Sequence, residues 1–461
     1  MNSDIVIGLE IHVELATETK LFCSCARTGS EEPNTRTCPV CLGHPGSKPV
    51  LNKKVLDYAL RLCLALECTI APELIFSRKS YLYPDMAKNY QITQYEDPLG
   101  RDGRLQVAGK DISITRVHIE EDPASLIHGN GHVLVDYNRS GDPLCEIVTG
   151  PDLTSPEEAR EFMRRLIEVI RYLDIFDIDS CLIKADVNVS IKESGYKRAE
   201  IKNITGFKEI ERALYYEVSR QKKAVADNEE LVVETRGWDP EGFTYSMRKK
   251  ESEEDYGYIL DPDLTITDIT KDKIEEVKAS MPELAQSKVA RYTSDLGIDQ
   301  ADAQVIASDR ILAEMFESVS ETVDPILAAR WIRRELLRVL NYNKLDIRDI
   351  KIDSKHISEL LNLIEKKKIT ENTAKEIIQE LIITPFDIHQ YIKDHGLEAV
   401  SDEGELEAFC KAAIDENPQA VAELREGKEK ALNFLVGQVM KKTKGKASPA
   451  EVNKLIRELI N

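Results

Sequence analysis

The first 280 residues contain stretches in which apolar and polar residues alternate. In IVIGLEIHVEL, residues 5–15, the apolar side chains occupy the odd positions, and Glu10, His12 and Glu14 occupy even ones. KADVNVSI, residues 184–191, alternates in the same way. A period of two is typical of strands that bury one face, as in antiparallel sheets. This part of the chain is therefore predicted to be rich in strands.

Helical patterns interrupt the strands and then replace them. TSPEEAREFMRRLIEVIRYL predicts a helix with Ser155 as its N-cap, Pro156 at its first position and Glu158 completing a capping box. After residue 280 amphipathic helices follow one another with short loops, and Gly396 with the acidic loop SDEGE marks a second boundary. We expect an α+β fold: a mixed or antiparallel sheet domain, a helical domain and a small helical tail domain. The predicted boundaries are 1–280, 281–395 and 396–461.

Length and composition limit the classes of protein. A chain of 461 residues exceeds one hydrophobic core and predicts about two to four domains. No apolar run approaches the ~20 residues of a membrane helix, and the acidic N-terminal stretch is unlike a signal peptide. The nine cysteines are therefore expected in a reducing cytoplasm, where clustered thiols bind metal more often than they form disulfides.

The charge is uneven along the chain. The net charge of −20 argues against general attraction to nucleic acid, but residues 427–461 carry an excess of five positive charges. Four lysines of this segment surround a predicted turn between two helices: Lys441, Lys442, Lys444 and Lys446. They predict either a contact with RNA phosphates or a solvated basic surface.

Four cysteines lie within nineteen positions as Cys23-x-Cys25-x12-Cys38-x2-Cys41. Two close thiol pairs can converge on a tetrahedral zinc ion, although a spacing of one residue in the first pair is less usual than two. Four thiolates would fill the coordination shell and leave no position for a substrate. The cluster is therefore predicted to be a structural clamp. The other five cysteines lie in apolar stretches and are expected in the core.

Several predicted strands carry carboxylates and histidines on one face. Glu10 and His12 share a face, TRVHIEED contains His118 with two glutamates, and Glu146 stands alone among apolar residues. A buried glutamate is costly unless it is paired or binds a cation. If these strands are neighbours, the carboxylates would converge and could hold Mg²⁺ for phosphoryl transfer. The alternative is a set of half-buried strands that turn polar residues to water. The chain contains neither a P-loop motif nor a G-x-G-x-x-G motif.

The motifs VIGLEIHVEL, CPVCLG, NYQITQYE, ITRVHIEED, LVDYNRSGDPLCEIV, ETRGWDP and FLVGQVMKKTKGKASP occur in this order. Together they resemble the B subunit family of the aspartyl/glutamyl-tRNA(Asn/Gln) amidotransferases, from residue 5 to the C-terminus. The archaeal relatives carry a large insertion for which 461 residues leave no room.

The resemblance implies a ligase and its fold. Members phosphorylate the side-chain carboxylate of Glu or Asp on mischarged tRNA with ATP and Mg²⁺, and ammonia then displaces the phosphate. The ammonia comes from glutamine hydrolysed by the A subunit of the enzyme, and the C subunit is a small wrapping chain. The sheet domain is expected to be a cradle that contains the kinase site, with the zinc knuckle at 23–41, and the tail is expected to approach the tRNA.

Site residues follow from the same resemblance. The Mg²⁺ and phosphate site falls on Glu10, His12, Glu121 and Glu146, with Glu120 beside them as a further catalytic candidate. Lys79 and Lys88 match basic residues near the ATP phosphates, and the four cysteines match a zinc site that some members possess. Strict alternation from His118 places Glu120 on its face, so Glu121 would need the strand to end or bulge there.

Two other classes of function stay open. One is a non-catalytic, zinc-containing scaffold that binds RNA, and ATP hydrolysis dependent on mischarged tRNA would separate it from a kinase. The other is a ligase that acts on free glutamate, which would not need the basic tail and would be active without tRNA.

Overall fold

The computed structural model describes residues 4–249, 256–399, 403–425, 428–443 and 446–460. The chain divides into two compact units, Met1–Leu284 and Ala285–Asn461. Every strand of the described chain lies in the first unit, and the second unit is helical. This is the α+β class that the patterns predicted. The further boundary near residue 395 stays a prediction.

The strands, in chain order, are β1 (Ile5–Glu14), β2 (Thr69–Ile70), β3 (Glu73–Leu74), β4 (Ser77–Ser80), β5 (Tyr90–Thr93), β6 (Gly100–Val107), β7 (Lys110–Glu121), β8 (Ser125–Gly129), β9 (His132–Asp136), β10 (Pro143–Thr149), β11 (Ile183–Ile191), β12 (Ala199–Thr205), β13 (Glu234–Asp239), β14 (Phe243–Lys249), β15 (Ile259–Leu260) and β16 (Thr267–Asp268). Nine of them form one sheet in the order β14-β13-β12-β11-β1-β10-β7-β6-β2. Its strands pair antiparallel except β12 with β13, so the sheet is mixed. Smaller sheets are β15-β4-β5, β16-β3 and β8-β9.

The helices are α1 (Lys53–Ala65), α2 (Pro156–Leu173), α3 (Phe207–Ala226), α4 (Lys271–Ser280), α5 (Ala285–Ser294), α6 (Gln300–Ala307), α7 (Arg310–Ser320), α8 (Pro325–Trp331), α9 (Leu337–Asn343), α10 (Ser354–Glu365), α11 (Glu371–Ile383), α12 (Ile388–His395), α13 (Glu403–Glu416), α14 (Pro418–Arg425), α15 (Glu429–Lys442) and α16 (Pro449–Ile460). A π-helical segment, Ile332–Leu336, joins α8 to α9.

Helix α2 begins where its capping residues predicted. The Ser155 hydroxyl accepts a hydrogen bond from the Glu158 N–H at 3.1 Å, and Pro156 is the first helical residue. The Glu158 carboxylate, however, accepts from the N–H of Thr154 at 2.8 Å. Because it reaches one residue beyond the N-cap, it anchors the chain that enters the helix.

The two faces of the large sheet differ in character. The odd residues of β1, including Ile7, Leu9, Ile11 and Val13, are almost fully buried in one apolar core with residues of α1, α2 and α3. The even residues of the same strand face the other side, where the sheet lines an open cleft. The alternation in the sequence therefore separates a structural face from a polar one.

The C-terminal part of the second unit has a core of its own. Residues of α13, α15 and α16, among them Cys410, Leu435 and Ile456, are buried against one another. None of the described helices is long and apolar enough to span a membrane.

Candidate active site

Strand register brings four ionisable side chains into one row. In the antiparallel pairs, Lys184 on β11 is opposite His12 on β1, His12 is opposite Glu146 on β10, and Glu146 is opposite His118 on β7. Residues that are directly opposite in a sheet point to the same face. The row therefore crosses four strands on the face that lines the cleft.

Two histidines and two glutamates form a compact group at the centre of this row. His12 Nε2 lies 3.4 Å from Glu120 Oε1 and 3.5 Å from Glu146 Oε2. His118 Nε2 lies 3.2 Å from Glu146 Oε2 and 3.6 Å from Glu120 Oε2. Thr93, at the end of β5, donates a hydrogen bond to Glu120 at 3.2 Å. Each carboxylate is thus shared between two imidazoles.

The four groups shift one another's pKa values. Burial alone would lower the pKa of both histidines, but Glu120 and Glu146 outweigh it and raise the pKa of His118 to about 9 and that of His12 well above its usual value. Burial opposes the charged form of Glu120, yet His118 and His12 lower its pKa to about 2. The shifts, together with the lowered pKa of Glu146, favour protonated imidazoles beside ionised carboxylates. A cation that binds His12 has to displace its proton.

A second acidic group adjoins the first. Carboxylate oxygens of Glu10, Asp186 and Glu200 lie within 4.8 Å of one another. Asn188 donates to Glu10 at 3.0 Å, and Lys202 Nζ lies 2.6 Å from Asp186 Oδ2. Within the described residues, the buried Oδ1 atom of Asn188 has no hydrogen-bond partner. Carboxylate oxygens and this amide oxygen are ligands suited to a hard divalent cation.

Both acidic groups line a cleft of about 570 Å³. Residues in and beside the three-stranded sheet also line this cleft, including Lys79, Tyr81, Thr93 and Tyr256. Lys79 Nζ lies 4.5 Å from the centre of the Tyr256 ring. Of the two lysines that the sequence suggested for phosphate, Lys79 therefore lies at the cleft.

Glu121 and Lys88 are placed elsewhere. β7 keeps its register with β10 through Glu121, which is opposite Pro143, so no bulge turns this side chain towards the cleft. Its carboxylate pairs with Lys88, whose Nζ lies 2.5 Å from Oε2, and accepts from the N–H of Ile92 at 2.8 Å. Both side chains are over nine-tenths buried. The structure brings Glu120, and not Glu121, together with His12 and Glu146.

The four clustered cysteines converge as their spacing predicted. Their sulfur atoms lie within 4.8 Å of one another, and all are free thiols: Cys23, Cys25, Cys38 and Cys41. The hydrogen bond from Cys23, with help from the Cys38 N–H and the Lys20 charge, lowers the pKa of Cys41 to about 5 despite partial burial. Four converging sulfurs, one readily a thiolate, fit a closed tetrahedral metal site. The five other cysteines are buried, as expected.

A buried lysine links this cysteine cluster to the edge of the cleft. Lys20 is fully buried, and its Nζ lies 3.9 Å from Cys41 Sγ. The same ammonium donates to the carbonyl oxygens of Ser140 at 2.8 Å and Tyr137 at 3.2 Å. Arg139, between those two residues, lines the cleft and pairs with Asp122 at 2.8 Å.

The basic residues of the tail occupy the end of α15 and the turn that follows. Lys441 is exposed, and Lys442 pairs with Glu416. Lys446 lies beyond the helix, with its N–H donating to Thr443 at 3.1 Å. Lys444 lies outside the described residues.

Arg116 and Lys184 also line the cleft, although sequence reasoning assigned them no role. The available signal was their position on the polar side of a strand: Arg116 lies two residues before His118, and Lys184 begins the alternating stretch KADVNVSI. Without the strand order, a cation in such a position cannot be distinguished from a side chain that only contacts water.

Comparison with known proteins agrees with this architecture. Residues 5–275 match the GatB/GatE catalytic domain, and residues 314–460 match the GatB domain. The chain is 43% identical to the B subunit of the aspartyl/glutamyl-tRNA(Asn/Gln) amidotransferase of Brevibacillus brevis, covering 99% of each chain. It is 42% identical to the protein of the same name from Thermodesulfovibrio yellowstonii, covering 100% of both, and 43% identical to that of Carboxydothermus hydrogenoformans, covering 99% of this chain and 98% of the relative.

The two family matches cover most of the chain, and the relatives align with it from end to end. Together they identify its family. The chain belongs to the family of B subunits of the aspartyl/glutamyl-tRNA(Asn/Gln) amidotransferases, which are tRNA-dependent ligases.

Proposed function

We propose that the cleft phosphorylates the side-chain carboxylate of Glu on tRNA(Gln), or of Asp on tRNA(Asn), with ATP as the donor. The γ-phosphoryl group passes to a carboxylate oxygen and leaves ADP and an acyl phosphate. Ammonia then forms the amide bond, and inorganic phosphate departs with that oxygen and with the proton that the nitrogen loses. The convergence of His12, Glu120 and Glu146 in an open cleft is the observation that carries this proposal.

A divalent cation fits the two acidic groups. We propose Mg²⁺, held by His12, Glu120 and Glu146 with Glu10 nearby, because the donor set is mainly oxygen and its carboxylates are ionised. When bound, such an ion neutralises the charge of the transferring phosphate. Glu121, predicted as a ligand, would have to leave Lys88 to join this set. We therefore propose that the Glu121–Lys88 pair supports β7 and β5 from the opposite face.

The chain's own residues bind and orient the substrates in this scheme. Lys79, which lines the cleft, is proposed to contact phosphate oxygens. Thr93 fixes the Glu120 carboxylate through its hydroxyl, so that the oxygen facing His12 keeps its direction. The four cysteines are proposed to hold a structural zinc ion, which would stabilise residues 23–41 without taking part in the reaction.

The relatives' names describe one subunit of an enzyme, which implies an enzyme of several chains. We propose that a glutaminase, the A subunit, supplies the ammonia, and that a small C subunit completes the enzyme. Mischarged tRNA is proposed to contact Lys441, Lys442, Lys444 and Lys446. A cytoplasmic location fits an enzyme that acts on aminoacyl-tRNA.

ATP hydrolysis by the reconstituted complex tests the proposal. With glutamine present, the wild-type complex should release ADP only when Glu-tRNA(Gln) or Asp-tRNA(Asn) is added, and uncharged tRNA serves as the control. Glu146→Gln should abolish this release while glutamine hydrolysis continues. ADP release unaffected by Glu146→Gln would place the phosphorylating site elsewhere and favour a scaffold role for this chain.

A further inference from the structure

Two cationic side chains in the cleft have no close hydrogen-bond or ion-pair partner among the described residues. Arg116 lies on β7 and Lys184 on β11, both half-buried and both lining the cleft. Neither side chain forms a hydrogen bond or a close ion pair with a residue that the structure describes, although the Lys184 charge acts at longer range on Asp122, which already pairs with Arg139. A charged group in a partly desolvated position costs free energy unless an opposite charge approaches it. An oxyanion of a substrate that enters the cleft would supply such a charge.

The other cations of the cleft are already neutralised or engaged. Lys202 pairs with Asp186 at 2.6 Å, and Arg139 pairs with Asp122 at 2.8 Å. Lys79 lies over the ring of Tyr256. Each of these three side chains has a close contact within the fold, whereas Arg116 and Lys184 have none among the described residues.

Arg116 also occupies an unfavourable position in the sheet. Its cross-strand partner on β6 is Arg101, and like charges directly opposite each other destabilise a sheet. Arg101 is compensated by Asp97 at 3.3 Å, whereas Arg116 has no such partner among the described residues. The pairing of Arg116 with Arg101 is therefore not expected to stabilise the sheet.

The two cations flank the histidine–carboxylate group. Lys184 is directly opposite His12, at one end of the row that crosses to His118. Arg116 lies two residues before His118 on the same face of β7. Three strand spacings, about 14 Å, separate β11 from β7, and two residues along a strand add about 7 Å. One cation therefore lies on each side of the group where phosphoryl transfer is proposed.

We propose that Arg116 and Lys184 bind the oxyanions of the substrates on either side of this group. The inference rests on the proposed function, in which both reactants are anions: the polyphosphate of ATP and the side-chain carboxylate of the aminoacyl group. Arg116 offers a planar pair of N–H donors that matches phosphate or carboxylate oxygens, and Lys184 offers a compact charge. Both sources share this oxyanion chemistry.

Binding of ATP to the full complex tests the proposal directly, with magnesium present and tRNA absent. Arg116→Gln and Lys184→Gln should each weaken ATP binding at least about tenfold if the anion is phosphate. If the anion is the carboxylate, ATP binding should stay unchanged and KM for Glu-tRNA(Gln) should rise about tenfold. Lys184→Arg should recover most of the loss, whereas Arg116→Lys should recover only part of it, since lysine keeps the charge but lacks the planar pair of donors.

Two further measurements separate this role from a structural one. Arg101→Gln, on the neighbouring strand and outside the cleft, should change neither constant. Arg116→Gln should leave the thermal unfolding midpoint unchanged or higher, since it removes a like-charge pair. The proposal is overturned if both glutamine variants keep normal ATP affinity and normal KM for Glu-tRNA(Gln). A wild-type complex that binds ATP but shows no tRNA-dependent hydrolysis would instead contradict the proposed function.

Discussion

Glu120 and Glu121 are neighbours in the chain, but their carboxylates serve opposite faces of β7. Glu120 lies between His12 and His118 at the cleft, with Nε2–oxygen distances of 3.4 and 3.6 Å. Glu121 is buried on the other face against Lys88. Two acidic residues that look equivalent in the sequence therefore have separate environments, and their substitution should have separate consequences.

Glu120→Gln should abolish transamidation, because a carboxylate shared by two imidazoles at the cleft is lost. It should lower the stability less than Glu121→Gln, since Glu146 remains beside both imidazoles and an imidazole can release its proton. Glu121→Gln should lower the free energy of unfolding by about 3–5 kcal/mol, since it leaves the Lys88 ammonium buried without an opposite charge. Transamidation rate and thermal unfolding of the same preparations give the comparison. If Glu121→Gln lost activity while its stability stayed unchanged, Glu121 would have to be counted among the Mg²⁺ ligands.

The alternation of residues predicted which side chains share a face, but not which strands are neighbours. β1 follows the prediction along its whole length, with Ile7 and Ile11 in the core and Glu10 and His12 at the cleft. The row formed with Glu146 depends on β10 pairing beside β1, a contact between residues over 130 positions apart. Local sequence does not encode such a register, which the packing of the whole sheet decides.

The same limit explains the residues that were missed or misplaced. Cys23, Cys25, Cys38 and Cys41 were predicted to converge because their spacing is local, and their sulfurs do converge. Glu121 was expected in the ligand set by resemblance, although the alternation already favoured Glu120. Arg116 and Lys184 gave only a weak local signal, their position on the polar face of a strand, because only the completed sheet shows that they flank a site.

The cysteine cluster should contain about one zinc ion per chain. Cys38→Ser should reduce bound zinc and lower the unfolding midpoint far more than it changes turnover of the folded fraction, because the ion is structural. Cys410→Ala, which removes a buried thiol from the tail core, should leave the zinc content unchanged. Elemental analysis and thermal unfolding with and without chelator provide the measurements. Absence of metal in the wild-type protein would contradict the hypothesis that the four cysteines bind a structural zinc ion.

The stability of the first unit should depend on pH through Asp142. Burial raises the pKa of this carboxyl to about 8, against an ordinary value of 3.8, although Lys20 acts in the opposite direction. A raised pKa means that the folded state holds its proton after the unfolded state has lost it. The stabilisation is therefore complete below pH 4 and is lost as the pH rises to 8.

Asp142→Asn replaces the protonated acid with a neutral group of the same shape and should remove this dependence. The unfolding midpoint of the variant should exceed that of the wild type at pH 8 by more than at pH 5. Thermal unfolding of both proteins across this range, at constant ionic strength, supplies the data. An equal difference at the two pH values would show that Asp142 does not titrate in this window.

The tail lysines should contribute affinity for tRNA but no choice between tRNAs, because contacts to phosphate carry no sequence information. Lys441→Gln combined with Lys446→Gln should weaken tRNA binding and reduce the slope of log affinity against log salt by roughly two. Lys411→Gln, an exposed lysine paired with Glu407 on α13, is the matched control. Deletion from residue 396 onward should weaken binding further while glutamine hydrolysis by the complex continues. An unchanged salt slope in the double variant would show that these lysines are only solvated.

The most direct test of the phosphorylation step follows one oxygen atom. Glu-tRNA(Gln) whose side-chain carboxylate is labelled with ¹⁸O is converted by the complex with unlabelled ATP and glutamine, and the released phosphate is analysed by mass spectrometry. The acyl-phosphate route predicts one ¹⁸O-labelled phosphate for every Gln-tRNA(Gln) formed, since the carboxylate oxygen that attacks the γ-phosphorus later leaves with the phosphoryl group. Formation of Gln-tRNA(Gln) with unlabelled phosphate would contradict the proposed chemistry of this cleft.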